Sequence, residues 1–219
     1  MPRLLFEKTE NAVWISHLDL MRLFQRAFKR AGFMLTHTQG YNPRPSVSIA
    51  LPLSVGIESV CELLDFDLST DMPPYAQIRD RLNDALPAGV RVLDVYNDGR
   101  KLKDLALLRC RISLSYDMPL QKDACEQVRR LFAQSSLNVL KRTKNGDQEQ
   151  DIIPMIRSLQ VCRPDEKCLM IDAIICCQNP ALNPMQIVSA IKEYLPAYAP
   201  DDCICRRTEI FDAQEKIFR

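Results

Sequence analysis

Hydrophobic and polar positions alternate along this chain with two different periods, and the switches between them outline its elements. Arg3 to Phe6 and Ala12 to Ile15 read as strand, broken by a polar turn near Asn11. From 17 to 31 the period changes: Leu20, Leu23, Phe24, Ala27, Phe28 and Ala31 recur every three or four residues and predict an amphipathic helix that Gly32 stops. Val47, Ile49 and Leu51 then alternate as a strand. After a turn at Gly56, 60–68 predicts another, with Leu64, Phe66 and Leu68 facing opposite to Asp65 and Asp67. Pro73-Pro74 opens a second helix carrying Tyr75, Ile78, Leu82 and Leu86 on one face; Gly89 ends it and VRVLDVY supplies a last strand. The order is βαββαβ, the ferredoxin-like arrangement.

A polar turn and short amphipathic connector, 97–108, leads into a recurrence of the same order. Cys110, Ile112, Leu114 and Tyr116 alternate with Arg109, Arg111, Ser113 and Ser115. A helix follows with Cys125, Val128 and Phe132 on one face, then a strand at 137–143 running into the Asn145-Gly146 hairpin signal. Strands at 155–162 and 168–177 come next, the second apolar on both faces and hence central. Asn183 caps and Pro184 opens a helix with Ile187, Val188, Ile191 and Leu195, and a strand at 203–211 closes the set. The fold class is therefore α+β, as two tandem ferredoxin-like (βαββαβ) units, 1–98 and 99–219. The two halves share architecture without evident sequence identity.

At 219 residues, 47% hydrophobic and 26% charged, the chain has an ordinary globular composition. The pattern shows neither an apolar run of membrane-spanning length nor a signal-peptide pattern, so no membrane partner and a cytoplasmic location are expected. The nine cysteines sit mostly in apolar runs and are expected to be reduced, largely buried small hydrophobes. Cys203-x-Cys205 and Cys176-Cys177 lack a CxxC pair or nearby histidine, so no metal is expected. P-loop, GxSxG, HExxH and GxGxxG motifs are missing, which leaves familiar nucleotide and hydrolase sites unsupported.

Charge changes the picture more. The net +1 hides seven basic and three acidic residues over 1–50, against four and nine over 51–100. Arg22, Arg26, Lys29 and Arg30 line one face of the first helix, with no acid among them after Asp19 to pair with. Such a stripe positions a polyanion without reading its sequence. In its first turn, Ser16 and Asp19 fit a capping pattern. That leaves His17 unexplained. Downstream, THTQGYNPRPSVSIALPLSVG (36–56) holds an ordered Gly/Pro loop at 40–45. A turn requires Gly40, Asn42, Pro43 and Pro45. It does not require Gln39, Tyr41 and Arg44, whose amide, aromatic ring and guanidinium form a mixture suited to single-stranded bases and phosphates.

SHLDLMR at 16–22, TQGYNPRP at 38–45 and SIALPLSVGIES at 48–59, in this spacing, resemble the radical SAM-linked family, a bacterial domain fused to or encoded beside a cobalamin-binding radical SAM protein. The likeness is strong over 3–96, specific within 16–59 and thin across 101–219. Ser16, His17, Asp19, Gln39, Gly40, Asn42, Pro43 and Pro45 match motif positions, whereas Tyr41 replaces the usual phenylalanine and Arg44 a common histidine. The resemblance implies a radical-generating partner acting on RNA or ribosome-related substrates. It implies no cofactor in this chain, which lacks the three-cysteine cluster motif.

The residues favour an accessory substrate-binding protein, with RNA as ligand, over an enzyme. The alternatives are an enzyme using His17 as general base, oriented by Asp19 or a nearby carboxylate, with Gln39, Asn42 and Arg44 stabilising an anion, and a structural adaptor without a ligand. His17 and Asn42 are expected to share a pocket with Arg44 at its mouth.

Overall fold

The computed structural model describes every residue except Asp98, Lys144 and Asn145, together with the side chains of Arg142 and Thr143. It is a mixed α+β structure with four α-helices among the described residues. The chain divides into two compact units, Met1–Asp104 with Phe218–Arg219, and Leu105–Ile217. The cut thus falls after Asp104 rather than at 98/99, and the last two residues return to the first unit. Arg100 explains part of this: its backbone N–H donates to the carbonyl of Arg219 at 2.8 Å, and its guanidinium covers the Phe218 ring at 4.7 Å.

In the first unit, β1 (Arg3–Lys8), α1 (His17–Arg30), β2 (Val47–Ile49), β3 (Ile57–Phe66), α2 (Tyr75–Ala85) and β4 (Val90–Tyr96) follow one another. The strands pair antiparallel in the order β4-β1-β3-β2. Leu20, Phe24, Ala27 and Phe28 of α1 are fully buried, as the helical period requires. Phe24 meets Phe6 edge-on at 4.8 Å and Phe28 meets Phe66 at 4.9 Å, so the helix is fixed to β1 and β3 through aromatic packing. Each of these rings contributes about 1.5–3 kcal/mol by burial.

One expected strand is absent. Glu10–Trp14 forms a short 3-10 helix in place of strand at 12–15. The backbone there is satisfied locally and by a buried cation: Lys8 Nζ donates to the carbonyls of Val13 and Ile15, each at 3.1 Å. Gly89 lets the turn close, because a Cβ at that position would stand 2.5 Å from the Thr9 carbonyl oxygen. The third strand spans 57–66 rather than 60–68, and Leu68 instead makes an isolated bridge to Leu35.

In the second unit, β5 (Leu105–Ser115), α3 (Ala124–Phe132), β6 (Asn138–Thr143), β7 (Gly146–Asp151), β8 (Ile156–Asp165), β9 (Cys168–Cys176), α4 (Met185–Tyr194) and β10 (Asp202–Asp212) give strand order β10-β5-β9-β8, with β6 and β7 as a separate antiparallel pair. Residues 105–108, expected in the connector, belong to β5, because Leu105, Leu107 and Leu108 are buried. The α3 face that packs is Ala124, Val128 and Leu131, with Cys125 and Phe132 only half-buried. The hairpin signal at Asn145 lies outside the described residues. All nine cysteines are free, but only Cys61, Cys110 and Cys205 are fully buried, fewer than expected. No helix among the described residues is long and apolar enough to cross a membrane.

Candidate functional site

Helix α1 begins on a closed capping arrangement. The Asp19 backbone N–H donates to Ser16 Oγ at 3.2 Å, and that hydroxyl donates in turn to Asp19 Oδ2 at 2.7 Å. The other carboxylate oxygen accepts from Arg22 Nη1 at 3.0 Å. The Ser16 hydroxyl first, and Arg22 second, hold the Asp19 carboxyl below the usual carboxylate range. Both oxygens are therefore committed, and neither is bonded to His17. Residues two apart on a helix diverge around its axis, so the His17–Asp19 dyad does not form. His17 Nδ1 is shielded from solvent and has no hydrogen-bond partner among the described residues.

The basic stripe divides in two. Arg22 is ion-paired to Asp19, contrary to its expected place among four unpaired cations. Arg26, Lys29 and Arg30 are exposed and, among the described residues, have no ion-pair partner. Three cations thus remain available to an external anion.

The 36–46 loop is strapped at its neck and open at its tip. Thr38 N–H donates to the Arg44 carbonyl at 2.8 Å, Arg44 N–H to Thr38 Oγ1 at 3.0 Å, and Ser46 N–H to the Thr36 carbonyl at 2.8 Å. Thr36 Oγ1 anchors the neck to Asp67 Oδ2 at 3.0 Å, just beyond β3. Gly40 adopts a φ of 143°, in the region glycine tolerates. Gln39, Tyr41, Asn42 and Arg44 are all exposed, and Tyr41 completely so. An exposed aromatic ring on a strapped loop has the chemistry to stack on a planar partner.

Two depressions in this unit bring together residues other than His17, Asn42 and Arg44. A cleft of about 470 Å³ is lined by Gln25, Lys29, Gly32, Phe33, Met34, Leu35, His37 and Pro45, joining the second half of α1 to the loop neck. A second depression, about 410 Å³, is lined by Ile15, Asp19, Arg22, Leu23, Arg26 and Arg30. Neither includes His17, Asn42 or Arg44, and among the described residues no hydrogen bond joins His17 to Asn42 or Arg44. The structure instead places Lys29, from the stripe, beside His37, the other histidine of the chain. Sequence reading passed over His37, Gln25 and Met34. The single available signal was that His37 lies within the motif-bearing stretch three residues before the loop turns. Among the described residues no cluster of histidine, cysteine or carboxylates has the geometry to hold a metal ion.

Residues 2–184 match the model of a family described as an uncharacterized protein conserved in bacteria, DUF2344. The chain belongs to that family. The match runs through both α1 and the 36–46 loop and continues into the second unit. No curated protein matches the chain in sequence. Among solved structures it is similar to a chain of a Cbf5-Nop10-Gar1 complex, at 7% identity and a TM-score of 0.56, covering 95% of this chain and 48% of that one. A chain from an H/ACA RNP bound to a substrate RNA containing 2'-deoxyuridine is more distant, at 9% identity and a TM-score of 0.45, with coverages of 89% and 44%. This chain spans just under half the length of both. The first likeness concerns the fold alone.

Proposed function

We propose that the chain is an accessory RNA-binding protein built from two ferredoxin-like units, working with a cobalamin-binding radical SAM enzyme in RNA or ribosome-related modification. The observation that carries RNA binding is the pairing pattern on α1. Arg26, Lys29 and Arg30 are exposed and have no ion-pair partner among the described residues; Lys29 lines the cleft at the neck of the strapped loop that holds Tyr41 in solvent, and Arg26 and Arg30 line the second depression. Cations of this kind contact phosphates, and an exposed ring stacks on unpaired bases. The strand orders β4-β1-β3-β2 and β10-β5-β9-β8 support the ferredoxin-like reading of each unit. The radical SAM partnership rests on the motif matches within 16–59, and RNA binding does not depend on it. In the enzyme alternative Asp19 is not the carboxylate that orients His17, since it bonds Ser16 and Arg22.

The test is equilibrium binding of a fluorescent single-stranded RNA to the full chain across a salt series. Each phosphate contact to a single strand contributes about 0.7 to the slope of log K against log salt. Replacing Arg26, Lys29 and Arg30 together by glutamine is expected to flatten the slope by about 2 and weaken binding roughly a hundredfold near 0.1 M salt. A folded triple variant with the wild-type slope overturns the assignment.

A further inference from the structure

We propose that the cleft between α1 and the loop neck is a subsite for one unpaired nucleotide, so that the RNA bound by this protein is single-stranded where it crosses the first unit. The inference rests on the RNA-binding reading and goes further by naming the form of the ligand and the residues that receive it. The cleft's volume of about 470 Å³ lies within the roughly 300–1,000 Å³ of small-molecule sites.

Its lining divides by chemistry as a nucleotide does. Phe33 and Leu35 are buried and form an apolar floor, while Met34, 68% exposed, leaves a flexible thioether available at the rim. Gln25 brings an amide able to meet a base edge from either side, since it carries both donors and an acceptor. Lys29 and His37 supply nitrogen donors for a phosphate or ribose. The ammonium has no counter-ion among the described residues, so charge complementarity favours an anionic occupant over a neutral apolar one.

The floor is built to hold its shape. Gly32, at a φ of 75°, has no side chain, and a Cβ there would stand 2.5 Å from Arg81 Nη2. Its absence lets Arg81 cross the turn and lie over the Phe33 ring at 4.7 Å. That stacking restrains the Phe33 ring and adds a further positive charge to this end of the unit. A base paired within a duplex is stacked on both sides and cannot reach an apolar floor of this kind without leaving the helix. An unpaired base enters freely, and the fully exposed Tyr41, on the loop that closes at this neck, offers an aromatic face to another base of the strand.

The experiment compares the wild-type full chain, Gln25→Trp and the triple neutralised variant, with oligouridylate and oligoadenylate pentanucleotides and a hairpin duplex as probes. Gln25→Trp fills the cleft and removes no charge. It is expected to weaken pentanucleotide binding at least tenfold, with the salt slope flattened by no more than the one Lys29 contact, about 0.7, and to leave duplex binding as it was. In the wild-type chain, the Met34 methyl resonance is expected to shift upfield by ring current on adding a pentanucleotide and to stay in place with the duplex, a readout that needs no substitution. Wild-type affinity in a folded Gln25→Trp protein, or a Met34 methyl unmoved at saturation, overturns the subsite while the cationic face stands. Failure of every probe to bind the wild-type chain removes the RNA reading itself, and the subsite with it.

Discussion

Replacing Asp19 by asparagine should make this protein bind RNA more tightly, although the substitution removes a helix-capping acid. The sign follows from the pairing. Asp19 holds Arg22 at 3.0 Å, so one of four cations on the face is masked by a neighbour. The asparagine retains the backbone N–H that bonds Ser16 Oγ, which keeps the cap, but it leaves Arg22 free for phosphate. One additional contact steepens the slope of log K against log salt by about 0.7, which corresponds to roughly fivefold tighter binding near 0.1 M when extrapolated to no electrostatic gain at 1 M. The assay is fluorescence anisotropy with single-stranded RNA over a salt series, with Asp19→Asn/Arg22→Gln as the control that returns the slope toward wild type. The pH dependence carries a second check. Asp19's folded pKa is depressed, so its pairing is present above the unfolded pKa and is lost only as pH falls through the lower, folded value. Wild-type affinity should therefore stay flat on acidification from about pH 7 to about pH 5 as far as this pair is concerned. A folded Asp19→Asn protein with unchanged or weaker binding would refute the reasoning, since it would show that Arg22 does not face the ligand.

Two predictions concern the frame that holds the site. Lys8→Met leaves the Val13 and Ile15 carbonyls without their charged donor just before α1 starts, and should cost about 3 kcal/mol, read as a melting temperature lower by roughly 6–12 °C. Arg3→Gln strands Asp65, which Arg3 grips through Nε at 2.6 Å and Nη2 at 3.0 Å, and should cost about 3–5 kcal/mol in urea unfolding; a loss under about 1 kcal/mol would show that solvent replaces the guanidinium.

Much of the frame was legible because it rests on periodicity. The buried face of α1 and its start at Ser16 follow from apolar spacing and caps that act within a few residues. The turn at 10–14 was not legible, because it depends on Lys8. A lysine reads as a surface residue, and only tertiary structure shows it fully buried with two carbonyls as acceptors. The candidate site separated along the same line. The stripe was visible as a helical face, yet Arg22's pairing depended on which of two rotational neighbours Asp19 would choose, and Asp19 chose Ser16 and Arg22 over His17. The loop was visible as Gly and Pro punctuation. Its neck, which brings His37 and Pro45 against Lys29 and Gln25, is closed by Thr38–Arg44 and Thr36–Ser46 hydrogen bonds that no spacing rule announces. Prediction accordingly centred on the loop tip and the first helical turn, where the depression described holds Asp19 and Arg22 without His17, while a second cleft formed between the last turns of α1 and the loop neck.

The central claim is that single-stranded RNA lies across the α1 face and the 36–46 loop of the first unit. Its most direct test is photocrosslinking of a 4-thiouridine-substituted single strand to the full chain, with adducts mapped by mass spectrometry. Adducts are expected in the peptides spanning Phe33 to Pro45, Tyr41 among them, and are expected to disappear when Arg26, Lys29 and Arg30 are neutralised. Adducts confined to residues 105–217, or a yield in the first unit no higher than that of a duplex control, would contradict it.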